Sequence, residues 1–319
     1  MTMMLQEKVS VALFVLVILS IYGFEAIWLS RTVWKRIRRR EKKNLRHRKA
    51  VLFVHVLAAV GVICMLYGYL IEPSWLDVNR VTIPTPRLRD VSLRIVQISD
   101  LHCDRKPRNE ERMVEIVNGF KPDVVVATGD FLNDPSALPR LRQTLGRLEA
   151  PLGKFAVEGN FEVWHWPQLD MVEGTGFRLL RQDSVVVAKG GEEIRVSGLS
   201  IDRAPACRAL LEGLPDDRFN LFLFHTPDLI EDVNGLGVDL YLCGHTHGGQ
   251  VALPLYGALL TFSKFGKKYE SGLHRCGPAT LYVNRGIGLE PRPAPQVRFC
   301  ARPEIVVFDV VPARSQASP

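Results

Sequence analysis

The chain is poor in the features that would make it a stapled, repetitive or low-complexity protein. Cysteine is scarce: six in 319 residues, with no CxxC pair. Five of them (Cys103, Cys207, Cys243, Cys276, Cys300) lie beyond the N-terminal apolar region, an odd and scattered set. Such a set offers no disulfide framework and slightly favours a reducing compartment. Cys103 and Cys243 read as small buried residues, and a Cys276–Cys300 bridge has no support in the pattern. Internal repeats and low-complexity tracts are missing. A cleavable signal peptide is not expected: the first residues, MTMMLQEK, are not basic, and no small-x-small site follows the first apolar run.

A net positive balance is missing from most of the chain as well. Residues 31–49 hold eleven Lys/Arg and one acid, Glu41, a local net of +10. The whole chain is only +7, so the remainder is net negative, at −3. No nucleic-acid-binding surface is indicated. The basic run is instead flanked by two long apolar stretches, 9–29 and 51–71, each about the ~20 residues a helix needs to cross a bilayer. Residues 1–72 therefore read as a two-helix transmembrane hairpin in a bacterial inner (cell) membrane, with Glu25 placed to snorkel or pair near the basic loop. The positive-inside rule puts that loop in the cytoplasm and everything after Ile71 outside it. A cytoplasmic active site is the alternative.

Residues 73–90 are Pro-rich and read as an extended linker with one short edge strand near Leu76–Ile83. From 91 to 311 strands alternate with helices: Leu93–Ile98, Asp123–Ala127, Lys154–Val157, Asn220–Phe224, Val238–Cys243, Thr280–Val283 and Glu304–Val310 as strands, and a hairpin across Lys-Gly-Gly at 189–191. Helices are expected near 109–120, 137–148, 165–172, 205–211 and 226–232, the last with Thr226 as cap and Pro227 at its first position. This is an α/β pattern with its site at the carboxyl ends of strands. The tail, 312–319, reads as disordered.

What the chain does have is a ligand set. Asp100-Leu-His102, Gly129-Asp130, Gly159-Asn160, His225 and Gly244-His245-Thr-His247 recur in order, four of the five clusters closing an apolar, strand-like run. Each alone is weak; together they specify two divalent cations. Asp130 is the natural bridging carboxylate. Asp100, His102 and His247 would complete one metal, and Asn160, His225 and His245 the other. Mixed nitrogen and oxygen donors suit Mn²⁺, Zn²⁺ or Fe rather than Ca²⁺ or Mg²⁺. Two cations so held attack phosphate esters through a metal-activated hydroxide.

The ordered set resembles the calcineurin-like metallophosphoesterases, in particular their small bacterial membrane-linked branch. The resemblance runs from about Val91 to Val310 and includes GHTHGGQVALPLYG (244–257), LYVNRGIG (281–288) and RPEI (302–305). It implies two facing mixed β-sheets flanked by helices and the same seven metal ligands. Two positions depart from the family pattern. Phe161 stands where a histidine usually follows the asparagine and protonates the leaving oxygen, and Asn133 ends a loop that usually ends in an acid. His165 or Glu162 are the candidate substitutes for the missing acid, and Arg285 the candidate phosphate contact. Lys264, Lys267 and Lys268 are candidates to steer an anion. Trp164, Trp166 and Phe265 are candidates for an apolar lip beside the membrane. The functional expectation is a membrane-anchored hydrolase of phosphodiester or pyrophosphate bonds in a lipid-linked substrate. Its alternatives are a UDP-diacylglucosamine pyrophosphatase of the lipid A type and, from another class, a metal-binding scaffold with little or no activity.

Overall fold

In the computed structural model, which describes residues 4–38, 48–215 and 217–313, the first two elements are apolar helices: α1 (Leu5–Ile37) and α2 (Arg48–Leu70). They run antiparallel. Tyr22 donates its hydroxyl to the Ala58 carbonyl at 3.0 Å, and one turn on His55 Nδ1 meets Glu25 Oε1 at 2.7 Å. Trp28 packs edge-on against the same imidazole, 4.3 Å between ring centres. The outward faces carry exposed Val, Leu, Ile and Phe along most of both helices. At about 1.5 Å rise per residue, either helix is long enough for a ~30 Å hydrocarbon layer. α1 continues through Arg31 to Ile37, so part of the expected basic loop is helical; residues 39–47 of that loop lie outside the described residues.

The body is built from two six-stranded mixed sheets. The first holds β1 (Asp77–Thr85), β2 (Leu93–Ile98), β3 (Val124–Ala127), β4 (Gly153–Ala156), β5 (Phe177–Leu179) and β14 (Glu304–Pro312), in the order β1-β14-β2-β3-β4-β5. The second holds β6 (Gln182–Lys189), β7 (Glu192–Leu199), β8 (Phe219–Leu223), β9 (Leu240–Cys243), β12 (Gly272–Cys276) and β13 (Ala279–Val283), in the order β12-β13-β9-β8-β7-β6. A small ribbon of β10 (Ala252–Leu253) and β11 (Gly257–Ala258) stands apart. The runs VVV and LFLF have no polar alternation because both faces of each sheet are covered. Ile95, Val124, Val126, Leu221, Leu223 and Phe308 fill the space between the sheets. Val96, Val125 and Ala127 face α3 (Glu110–Gly119) and α4 (Leu138–Gly146) on one outer side. Phe222, Phe224 and Tyr241 pack with α6 (Cys207–Leu211) on the other. Fully burying one such side chain stabilises by about 1.5–3 kcal/mol.

Several expected boundaries shift. The edge strand expected near Leu76–Ile83 in the 73–90 linker is β1, which runs on to Thr85 and pairs with β14 in parallel over nine residues, Asp77 with Glu304 through Thr85 with Pro312. β14 runs through Pro312, where the disordered tail was expected to start, and residues 314–319 lie outside the described residues. The helix expected at 165–172 is α5 (Asn160–His165), which starts at the asparagine itself. The expected helix at 226–232 shrinks to a 3-10 turn at Pro227–Leu229, with the Thr226 hydroxyl accepting from Asp228 N as its cap. All six cysteines are free thiols.

Candidate metal centre

The carboxyl ends of β2, β3 and β4 in one sheet and of β8 and β9 in the other meet at one edge. Asp100 and His102 follow β2, Asp130 follows β3, and Asn160 opens α5 after β4. His225 follows β8, and His245 and His247 follow β9. Five of these seven residues turn the chain in the left-handed region: Asp100 (φ 48°), His102 (41°), Asp130 (54°), His245 (72°) and His247 (51°). Each such residue costs on the order of 1 kcal/mol and persists only where its surroundings impose it. Glycines permit the crowding. A Cβ at Gly159 would land on Asp130 Oδ1, and one at Gly244 would land on Asp100 Oδ2.

The side chains form two triads, Asp100–His102–His247 and Asp130–His225–His245, all buried. In the first, His247 Nε2 lies 3.4 Å from Asp100 Oδ1 and 3.2 Å from His102 Nε2. In the second, His225 Nε2 lies 3.2 Å from Asp130 Oδ2 and 3.1 Å from His245 Nδ1. Asp130 Oδ2 is also 3.7 Å from His102 Nε2, so one carboxylate oxygen stands between the two groups. Asp130 Oδ2, Asn160 Oδ1 and His245 Nε2 are buried with no hydrogen-bond partner. Buried polar atoms are ordinarily satisfied. Three such orphans on ligand candidates, two of them oxygens, are the donor pattern a pair of divalent cations would complete.

The electrostatics agree. Burial, helped by neighbouring His225, pushes the His245 imidazole down to about 3. Burial, with His102 and Arg298, holds His247 well below its ordinary value, and burial likewise lowers His102. These rings are therefore neutral and carry free lone pairs. Burial opposes ionisation of Asp130, but His225, His102 and His245 outweigh it and hold the carboxyl below the usual range. His225 is correspondingly raised to about 10, Asp130 overcoming burial. Asp100 is pushed up to about 7, chiefly by burial, with Asp130 adding to it. An anionic oxygen that holds a proton on His225, beside three neutral imidazoles, draws positive charge to this point and suits a dication.

A second layer orients the rings, as metal-binding histidines require. His102 Nδ1 meets Asn133 Oδ1 at 2.7 Å, and Asn133 in turn donates to the Leu289 carbonyl at 3.0 Å. The amide at 133 thus aligns His102 at the position where the family pattern carries an acid. His225 Nδ1 lies 2.7 Å from the Thr128 carbonyl. Arg298 Nη2 lies 3.1 Å from His247 Nδ1; a guanidinium only donates, so this contact places the ring without taking up a ring N–H, and the guanidinium is itself anchored on the carbonyls of Gly288, Arg285 and Ala301.

The candidate acid substitutes and phosphate contact are placed elsewhere. Glu162 is 1% exposed, and its two oxygens accept from the backbone N–H groups of Gly159, Asp130 and Phe131 at 2.8 Å each. It clamps the 129–131 and 159–160 loops together and has no free oxygen to serve as a proton donor. His165 is exposed and separated from the pocket by Phe161, whose ring lies edge-on to His102 (4.8 Å) on one side and 5.1 Å from His165 on the other. Arg285 turns away from the ligands to pair with Glu304 at 2.9 Å and Asp77 at 3.3 Å, so it tethers β1 and β14 instead of contacting phosphate. Lys264, Lys267 and Lys268 pair with Asp232, Glu270 and Glu231. Trp166 packs inward and donates to the Leu132 carbonyl, Phe265 packs on Tyr269, and Trp164 alone of the three expected aromatics is exposed.

Sequence reasoning missed two residues. Arg298 follows a Pro-rich loop, with no spacing that would tie it to His247. Glu290 lies in the same region, and its Oε1 is 3.5 Å from His247 Nε2. Burial, then Asp130 and Asp100, push its carboxyl up to about 8. It is a carboxylate beside the first triad that no ligand pattern announced.

A family model described as calcineurin-like phosphoesterase matches residues 93–249. Metallophosphoesterase YkuE of Bacillus subtilis is 33% identical over 262 residues, covering 76% of this chain and 88% of that protein. Phosphodiesterase YaeI of Escherichia coli is 27% identical, covering 81% and 98%. UDP-2,3-diacylglucosamine pyrophosphatase LpxG of Chlamydia trachomatis is 26% identical, covering 79% and 94%. Two mixed sheets, clustered ligand triads at their shared edge and these relatives agree: the chain belongs to the calcineurin-like metallophosphoesterases and is a metal-dependent phosphoric ester or anhydride hydrolase.

Proposed function

We propose that the protein is a bilayer-anchored hydrolase of phosphodiester or pyrophosphate bonds in amphiphilic, lipid-linked substrates. Its ligands for two divalent cations (Mn²⁺, Zn²⁺ or Fe) would be Asp100, His102, Asp130, Asn160, His225, His245 and His247. The observation that carries this is Asp130 Oδ2, buried, without a geometric hydrogen bond and within 3.7 Å of a histidine nitrogen in each triad. When bound, the cations acidify a water to make the nucleophile and neutralise the phosphoryl oxygens. The chain does the rest. Asp130 fixes the spacing of the two triads, and Asn133, the Thr128 carbonyl and Arg298 fix the ring planes. Glu162 holds the two loops that carry Asp130 and Asn160.

Phe161 narrows the substrate. A positioned acid is worth about 10²–10⁴-fold, and a phenyl ring against His102 supplies none. Substrates whose leaving group departs as a stable anion, such as a phosphoanhydride releasing a nucleotide, fit best. A relative named for cleaving a UDP-linked diacyl sugar supports this reading. The basic loop argues for a body on the extracytoplasmic side, whereas a nucleotide-linked lipid would place it in the cytoplasm. C-terminal fusions to alkaline phosphatase and to a fluorescent protein separate the two: phosphatase activity marks the first, fluorescence alone the second.

The activity test uses the purified full chain with Mn²⁺ or Zn²⁺ and bis-p-nitrophenyl phosphate, whose good leaving group bypasses a missing acid. Hydrolysis is expected, and Asp130→Ala or His245→Ala should abolish it. Turnover indifferent to either substitution would overturn the mechanism. The second reading, a metal-binding scaffold, is favoured by Phe161 and predicts metal binding with no turnover.

A further inference from the structure

The two apolar helices do not merely precede the catalytic body; their ends on one side are built into the loops that hold the metal ligands. At the start of α1, Glu7 is buried and accepts from Thr261 N at 2.8 Å and Thr261 Oγ1 at 2.6 Å. One turn further along, Ser10 Oγ hydrogen-bonds the Tyr256 hydroxyl. At the end of α2, the Gly68 carbonyl accepts from Arg298 N at 2.9 Å, and just beyond it Glu72 accepts from Cys300 N and Ala301 N. The segments gripped in this way, 255–262 and 298–301, are those that lead from His247 and return to it through Arg298.

Leu255 has no explanation within the fold. It is fully exposed, and it sits at φ 65°, a left-handed conformation that a leucine adopts at a cost of roughly 1–2 kcal/mol. Its neighbour Tyr256 is also exposed, with Lys267 Nζ 3.9 Å over its ring. Phe262, again exposed and at φ 55°, completes the set, and its backbone lies against His245. Leu255 and Phe262, strained and exposed on one small ribbon and the loop after it, are a cost without a return that the fold displays. The contact with Ser10 supplies the missing partner, because it fixes Tyr256 at the level where the apolar run of α1 begins.

We infer that the β10–β11 turn, with Leu255 at its tip and Tyr256 and Phe262 beside it, is seated in the headgroup layer of the same bilayer that α1 and α2 enter. One rim of the metal pocket then lies at the membrane surface. The pocket takes phosphate groups of lipids still resident in the bilayer rather than phosphates in free solution. Tyr256 and Lys267 suit that depth: an aromatic ring with a polar tip and a cation with an apolar stem both settle at the interface. This rests on reading α1 and α2 as a membrane hairpin.

The test places a photo-crosslinking benzoylphenylalanine at position 255, and in a control at Val186, an exposed position on β6. The full chain is reconstituted in phosphatidylethanolamine–phosphatidylglycerol nanodiscs and irradiated. A lipid-mass adduct is expected from position 255 and at least tenfold less from 186. Protein that enters the nanodisc but gives equal or no adduct at 255 overturns the inference while sparing the hairpin. Protein that does not enter the nanodisc overturns both. Leu255→Gly is the second variant. Glycine relieves the backbone strain, so the thermal midpoint in detergent and the turnover of bis-p-nitrophenyl phosphate should stay within experimental scatter and within twofold. A large fall in either would show that Leu255 serves the fold and not the membrane.

Discussion

At the scale of single residues, Glu162 and Phe161 divide what their neighbourhood would suggest. Removing the Glu162 carboxylate strands three buried backbone amides, on Gly159, Asp130 and Phe131. At about 1–3 kcal/mol for each buried group left unsatisfied, Glu162→Ala is expected to destabilise by roughly 3 kcal/mol or more, read as a clear fall in the thermal midpoint. Glu162→Gln keeps one acceptor oxygen and should fall less. Equal midpoints for wild type and alanine variant would refute the clamp. Phe161→His is the sharper chemical probe. With the ring already against His102, an imidazole there should raise hydrolysis of alkyl phosphodiesters by tenfold or more, against a ceiling of about 10⁴-fold for a positioned acid. It should change p-nitrophenyl substrates far less. An equal gain on both substrate classes would mean that the leaving group is protonated by some other residue.

At the scale of elements, the order of the site was legible because each ligand cluster closes a strand and strands announce themselves as apolar runs. The backbone has few choices after VVVATGD or LYLCGHTH, since both faces of the strand are buried and the polar residues must fall at its end. Less legible was whatever depends on pairing distant segments. β1 was legible only as a short edge strand inside a linker, because it carries a proline, Pro84, and alternates weakly, so its nine-residue pairing with β14 did not show. Arg285 precedes a glycine and Arg298 follows a Pro-rich loop, and only the fold decides which one turns to His247 and which to Glu304. Glu290 escaped notice for the same reason, and Asn133 showed only as a departure from the family pattern, not as the partner of His102. The docking of α2 yields its own prediction. A Cβ at Gly68 would stand 2.9 Å from the Arg298 carbonyl oxygen, so Gly68→Val should displace the segment that steadies His247. Disturbing the shell behind a metal ligand costs about 10–100-fold in affinity. Metal titration of the variant is expected to show a loss near the lower end, and an unchanged affinity would mean that the helix end and the metal pocket are independent.

At the scale of the whole molecule, the two sheets each supply part of one centre, so cations would bridge them and stabilise the folded body. A ligand at a hundred times its dissociation constant adds about 2.7 kcal/mol. Chelation should therefore lower the thermal midpoint by several degrees, and Mn²⁺ or Zn²⁺ should restore it. An unaltered midpoint would mean that the triads do not bind metal in the folded state. The Asp130→Asn chain should show a smaller response, because the oxygen that joins the triads loses its charge.

The most direct test of a two-metal centre shared through Asp130 is the metal content of the full chain. Protein loaded with Mn²⁺ or Zn²⁺, freed of excess ion and measured by inductively coupled plasma mass spectrometry, is expected to hold two ions per chain, with Asp130→Asn holding one or fewer. One ion or none in the wild-type chain, or two in the Asp130→Asn chain, would contradict the account.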